Sequence, residues 1–385
     1  MSQDIGGFVS PQCELLGLGE PTHPSRDPSF GPIRNDLFAS LANEGFRSIA
    51  LETDRVAALA VNDFVQDGVG TLETAMCEGF SHGFGDLEAN RRLVAWMREY
   101  NEGRPAGERL AFYGFDVQAE NTSAPSPRRY LEYGRDYLGL DMDLASLLGP
   151  DEQWSREEAI LDPAKSIGDT PEAAQSRAVA DDLHMSLYTR APELIAATSR
   201  AEWFRARTHL AAGLGLLRYH RQSAQRIEKS ARISRLMATR DALMAQNLLD
   251  IRTIEEQRGA TLVFAHNSHL QRNPSSMHMA GMDIGWHSAG AIVDALLGDR
   301  YAVVIGSMGR SEALGLEEPE PDTYEGALQR RFTTWGLTPA AAVPSAHTRT
   351  DVRPEQVYSP LDQTMTDSAD AILHISTTPP TATKQ

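Results

Sequence analysis

CELLGLGEPTH, residues 13–23, is a short apolar run that stops abruptly on an acid, a proline and a histidine. Five further runs of the same kind follow. They are residues 46–51 (FRSIAL), 110–115 (LAFYGF), 261–265 (TLVFA), 301–307 (YAVVIGS) and 371–376 (AILHIS). Runs this short and this continuously apolar suit strands buried on both faces, as in a parallel sheet. Helical patterns lie between them. Residues 35–43 are amphipathic and stop before Gly45, and residues 90–100 put Leu93, Val94, Trp96 and Met97 on one side. Both suit the crossovers of strand–helix–strand units. The expected fold class is α/β, a mostly parallel sheet flanked by helices.

The middle of the chain reads differently. From about residue 127 to 250 the pattern is helical, rich in good helix formers and broken by an Asp-, Pro- and Gly-containing stretch at 147–171. The expected organisation is an α/β core over 1–126, a helical cap insertion over 127–250, and the second part of the core over 251–376. A disordered tail is expected over 377–385. A cap packed over one end of a sheet closes a site from water; a plain structural layer of helices is the alternative.

The length of 385 residues suits one large α/β domain or two ordinary ones. No window approaches the ~18 apolar residues of a membrane span. The first residues show no basic region followed by an apolar run, so no signal peptide is expected and cytoplasmic location is the default. The net charge of −17 argues against nucleic acid as a partner, since phosphate binding needs clustered Lys and Arg. Cys13 and Cys77 fall in no CxxC or metal-ligand pattern and read as small buried hydrophobes in a reducing compartment.

Polar residues follow the apolar runs directly. Glu20 and His23 follow the first, Glu52 and Asp54 the second, Asp116 the third, and His266, Asn267 and His269 the fourth. In a parallel sheet the carboxyl ends of all strands face one edge, where ligands bind. One such residue is weak evidence; the same event after four strands points to a shared site. The residue types suit general acid–base hydrolysis, because a histidine of ordinary pKa (~6.5) can take a proton from water at neutral pH. Such a base needs an orienting carboxylate, and Glu20 can serve His23 directly or through the turn. Glu52 can hold the attacking water or a second imidazole. Arg26, Arg34 and Arg240 are candidates to hold an oxyanion or a substrate carboxylate. HExxH is absent, and the glycine runs match no phosphate loop. His23, Glu52, His266 and His269 form a metal site only if folding gathers them. No metal and no cofactor are expected.

On these segments the chain resembles the erythromycin esterase family. The family's GE-x-[ST]-H motif stands as Gly19-Glu20-Pro21-Thr22-His23, followed by arginines at 26 and 34. Its GFR-x-[IV]-A-x-E strand stands at 45–52, VN-x-[FY]-V at 61–65, WMR-x-YN at 96–101 and FYG-x-D at 112–116. RD-x-x-MA-x-N stands at 240–247 and AHN-x-H at 265–269. The resemblance runs from about residue 15 to 310, in the family's order. It implies an erythromycin esterase-like fold and a metal-independent esterase that opens a macrolide lactone. It implies His23 as the general base and Glu20, Arg34, Glu52, Arg240, His266 and His269 as supporting residues. Arg26, Asp116, His269 and His82 are the expected substrate-binding residues. The chain departs from the family's pattern at Pro24, in the 23–34 loop with Pro28 and Pro32, and at 78–85 (EGFSHGFG), where relatives carry tryptophans. That glycine-rich loop offers His82 as a further site residue; an exposed loop histidine is the alternative. The expected partner is a small ester or lactone, macrolide-like or another natural product, hydrolysed in antibiotic resistance or in biosynthesis. The competing readings are cyclisation or acyl transfer on the same frame, and a binding module without catalysis.

Overall fold

A computed structural model describes residues 5–120, 122–279 and 281–377. Seven strands form one sheet in the order β3-β2-β4-β1-β7-β9-β8. They are β1 (Leu15–Glu20), β2 (Ser48–Asp54), β3 (Ala111–Asp116), β4 (Thr261–His266), β7 (Tyr301–Arg310), β8 (Trp335–Pro339) and β9 (Ala371–Thr377). All neighbours are parallel except β8, which runs antiparallel to β9 at the edge. A separate hairpin joins β5 (Ser275–Met279) to β6 (Met282–Trp286).

Alternation along each strand feeds two cores. Leu16, Leu18, Leu262 and Phe264 pack on one face with Ile33, Leu37, Phe38 and Leu41 of the helix Phe30–Asn43. Leu15, Val263 and Ala265 pack on the other with Met244, Ala245, Leu248 and Ile251 of the helix Lys229–Glu255. The inner strands are covered on both sides, which is why their sequences read as continuous apolar runs. The expected helix at 90–100 is Glu88–Asn101, with Leu93, Val94 and Met97 buried and Trp96 edge-on to Phe38 at 5.8 Å.

Between β3 and β4 the described chain contains no strand; it runs through helices from Arg128–Tyr137 to Lys229–Glu255. Leu131, Leu183, Leu187, Trp203, Leu210 and Leu217 give these helices a core of their own. Thr377 ends β9, and the rest of the expected tail, 378–385, lies outside the described residues. The cysteines depart from expectation. Cys13 is half-buried against the sheet, but Cys77 is exposed, because it sits on the outer side of the short helix Leu72–Glu78. Among the described residues no helix is long and apolar enough to cross a membrane.

The topology sets the place of a site. β1 lies between β4 and β7, and the chain leaves it on one side to build β2, β3 and β4 and on the other to build β7. The strand order reverses at β1, and the crevice beyond the carboxyl ends opens there.

Candidate active site

Register sets the first contacts. Glu20 at the end of β1 stands directly beside His266 at the end of β4. The close approach depends on Gly19, where a Cβ would lie 2.2 Å from Asn267 Oδ1. Asn267 uses that space to clamp β7, with Oδ1 accepting from Gly306 N–H (3.0 Å) and Nδ2 donating to Gly306 O (2.8 Å). On the other side, the pairing of β2 with β3 shifts register between Leu51 and Asp54. Such bulges re-aim side chains at sheet ends, and Glu52 lies within this one.

Glu52 is the hub. Its Oε2 accepts the His266 backbone N–H at 2.9 Å. Its Oε1 faces Arg240 Nη2 at 3.3 Å and His269 Nε2 at 3.4 Å. Arg240, from the helix Lys229–Glu255, also grips Asp116 with two hydrogen bonds, Nε to Oδ1 at 3.0 Å and Nη2 to Oδ2 at 2.5 Å. This fork-on-carboxylate geometry locks the guanidinium in one orientation. The other nitrogen of His269, Nδ1, lies 2.9 Å from Asp241 Oδ1. Asp241 also accepts from Trp286 Nε1 at 2.9 Å and the Ala289 N–H at 2.8 Å.

His82 extends the network. Its Nε2 lies 2.9 Å from Asp116 Oδ2 and its Nδ1 2.8 Å from Glu120 Oε2. Its backbone has φ = 58°, in the left-handed region. A non-glycine residue is rarely held there without compensating contacts. The two carboxylates provide them. Phe84 lies between imidazoles, its ring centroid 5.6 Å from that of His82 and 6.4 Å from that of His23.

The charges follow from the partners. His269 and His82 each face carboxylates with both nitrogens, an arrangement that favours the imidazolium form of each ring. Burial pulls each down, but the carboxylates outweigh it; His269 is raised above its ordinary value and His82 reaches about 10. Burial pushes Glu52 up, but His269, His23 and Arg240 overcome it and hold the carboxylate well below the usual range. Arg240 and His82 do the same for Asp116.

The remaining groups are neutral. His266 Nδ1 accepts from the Ser268 N–H at 3.2 Å, so its proton is on Nε2, and burial lowers it to about 3. His23 is lowered by burial against the pull of Glu52; its ring is 5.2 Å from that of His266 and its Nδ1 is buried with no hydrogen-bond partner. Burial pushes Glu20 far up, with the Glu52 charge adding to it, which favours the protonated carboxyl. Its Oε2 is likewise buried and unpartnered.

Glu52, His266, His269, Arg240, Asp116, His82 and His23 are thus gathered around one place. Glu20 adjoins it, but no hydrogen bond joins it to His23: Glu20 Oε2 and His23 Nδ1 are both buried without a partner. Arg34 is buried beside Glu20, bonded to Asn35 Oδ1 at 2.7 Å and lying 4.9 Å above the Phe264 ring. Arg26 is exposed on the turn after His23, its backbone N–H donating to His23 O at 2.8 Å, and no side-chain contact joins it to the cluster. Asp241 and Glu120 were not singled out by the sequence. Adjacency to Arg240 was the signal for the first, and position four residues beyond Asp116 for the second. Folding does gather His23, Glu52, His266 and His269, yet among the described residues no group of three or more His, Cys, Asp or Glu is placed to hold a metal ion. His269 commits both nitrogens to carboxylates, and His266 commits Nδ1 to Ser268.

The sequence profile of the family described as erythromycin esterase matches residues 41–378. Glu20 and His23 precede that match, and the other gathered residues lie within it. No curated protein matches the chain in sequence. Solved structures resemble it in fold. A Bacillus cereus protein superposes with a TM-score of 0.67 at 17% identity, covering 98% of this chain and 92% of that one. A succinoglycan biosynthesis protein gives 0.63 at 16% identity, with 96% and 88% covered. A histidine-to-asparagine mutant of the erythromycin esterase EreC in its open conformation gives 0.62 at 17% identity, with 97% and 93% covered.

Proposed function

Because this chain belongs to the erythromycin esterase family, we propose that it hydrolyses an ester or lactone, with neutral His23 as the base that activates water. The observation that carries this reading is the state of His23. Its Nδ1 is buried and unpaired, its ring lies 5.2 Å from that of His266, and burial lowers its pKa below the ordinary value, which favours the neutral imidazole. A general base must be unprotonated at working pH and within reach of a water. Apo geometry often leaves its catalytic hydrogen bonds unmade.

In the proposed reaction His23 takes a proton from water as the oxygen adds to the acyl carbon. The carbonyl oxygen becomes an oxyanion. Glu20, whose proton burial favours, is the proposed donor to it, and the positive charge of Arg34 acting on Glu20 favours the anion. Collapse breaks the C–O bond to the alcohol, and the His23 imidazolium returns its proton to the leaving oxygen. Glu52 ties the His266 backbone to His269 and Arg240, and its negative charge offsets the imidazolium that forms on His23. The helices of residues 127–250 act as the cap that keeps bulk water out, through Arg240 and Asp241 of the last of them.

The test is a mass-spectrometric screen of macrolides and smaller lactones with a chelator control. A product heavier by one water, lost in His23→Ala, supports the reading. An isomer or a transferred acyl group, or wild-type turnover by His23→Ala, overturns it.

A further inference from the structure

A cavity of about 220 Å³ is lined by a different set of residues. Its floor is the chain just beyond β2 and β3, at Arg55, Val117 and Gln118. Its walls are the helices Pro171–Thr189, Arg200–Ser223 and Lys229–Glu255. None of Glu20, His23, Glu52, Asp116, Arg240, His266 or His269 lines it. On Lys229–Glu255, Asp250 is ten residues beyond Arg240, or ~15 Å at the usual helical rise.

Two arginines face this space. Arg55 is 3% exposed, yet its Nε and Nη1 are buried without a hydrogen-bond partner. Its Nη2 is 3.6 Å from Asp250 Oδ2, and its guanidinium lies 5.0 Å from the Tyr113 ring centroid. Arg207, 9% exposed, pairs with the other oxygen of the same Asp250. Two guanidiniums therefore share Asp250, while Glu255, whose charge also acts on Arg55, is paired with Arg258 at 2.7 Å and accepts from the Tyr113 hydroxyl at 2.5 Å. A buried charge with unmade hydrogen bonds is costly, whereas a forked guanidinium matches a planar or tetrahedral oxyanion well. The cavity is far larger than the ~15 Å³ that one water needs, and exposed Tyr188 in its lining gives it access from solvent.

We propose that this cavity is a binding site for a small oxyanion, a carboxylate or a phosphate, held by Arg55 and Arg207. The site is independent of the reading of His23, since it shares no side chain with it.

Isothermal titration of the full-length protein with inorganic phosphate, and separately with acetate, at ionic strength fixed by sodium chloride, tests this. Saturable one-to-one binding of at least one probe is expected, weakened at least tenfold in Arg55→Met and in Arg207→Gln. Arg207→Gln leaves Asp250 to neutralise Arg55, so it decides the matter where Arg55→Met fails to fold. Binding of phosphate alone identifies a phosphorylated ligand, and binding of acetate alone a carboxylate. Absence of saturable binding by both probes overturns the proposal. So does binding that Arg207→Gln leaves unchanged, which places the anion at the imidazolium cluster instead.

Discussion

Replacing Arg240 by methionine keeps most of the side-chain volume and takes the guanidinium away from two buried carboxylates. Asp116 is fully buried and Glu52 is 4% exposed, and together they receive three hydrogen bonds from this one guanidinium. Breaking a buried ion pair by removing one partner costs about 3–5 kcal/mol. Unfolding entropy of about 2.1 cal/mol/K per residue over 385 residues is roughly 0.8 kcal/mol/K, so the melting temperature should fall by about 4–6 °C. The pH dependence identifies the cause. Both carboxylates have depressed pKa values in the folded wild type. The stability they contribute is therefore present above their unfolded values of about 4 and lost as pH falls through the folded ones. Without Arg240 their folded values rise, and they take up protons instead of staying charged. The deficit of Arg240→Met should thus be largest near about pH 7.5 and shrink toward about pH 5. Thermal unfolding followed by circular dichroism at both pH values measures it. A deficit under about 1 kcal/mol, the size of an exposed ion pair, or one that grows on acidification, refutes the reasoning.

His23→Ala should lower kcat by at least about 10²-fold, the lower range for a lost general base, with an unchanged circular-dichroism spectrum. In the wild type kcat/KM should fall on the acid side with an inflection below 6.5, because burial lowers His23; a steady-state pH profile reads this directly. His82 is raised from 6.5 to about 10, so its stabilisation is complete below its unfolded value and lost as pH rises through its folded one. Urea unfolding of the wild type should weaken across that window, and His82→Asn should remove the slope. Gly19→Ala should destabilise the protein by about 1–3 kcal/mol through overpacking against Asn267, measured by the same denaturation.

The sheet's inner strands were legible because each is buried on both faces and stays apolar from end to end. β8 (WGLTP) escaped notice: it is an antiparallel edge strand, short and punctuated by Gly336 and Pro339. The β5–β6 hairpin escaped for the opposite reason; Ser276 to Met279 are exposed, so no apolar face marks them. Glu52, Asp116 and His266 were legible as polar residues at strand ends, where topology alone brings them together. Arg240 was reached only as one arginine among several and through the family's motif. Asp241 reaches His269 from a helix, and no periodicity reports which helical residue faces the sheet edge at that depth. His82 depended on a backbone conformation that the string SHGFG hints at but does not determine. Arg26 belonged to the same motif as His23, yet its turn carries it to solvent.

The protonation of His23 is the quantity on which the account stands. Titration of 15N-histidine-labelled protein by NMR, with His23→Ala to assign the signal, measures it without knowledge of the substrate. A neutral His23 at pH 7 with a pKa below 6.5 is the result the account predicts. A His23 that is imidazolium at pH 7 contradicts it, because a protonated ring cannot take the proton from water.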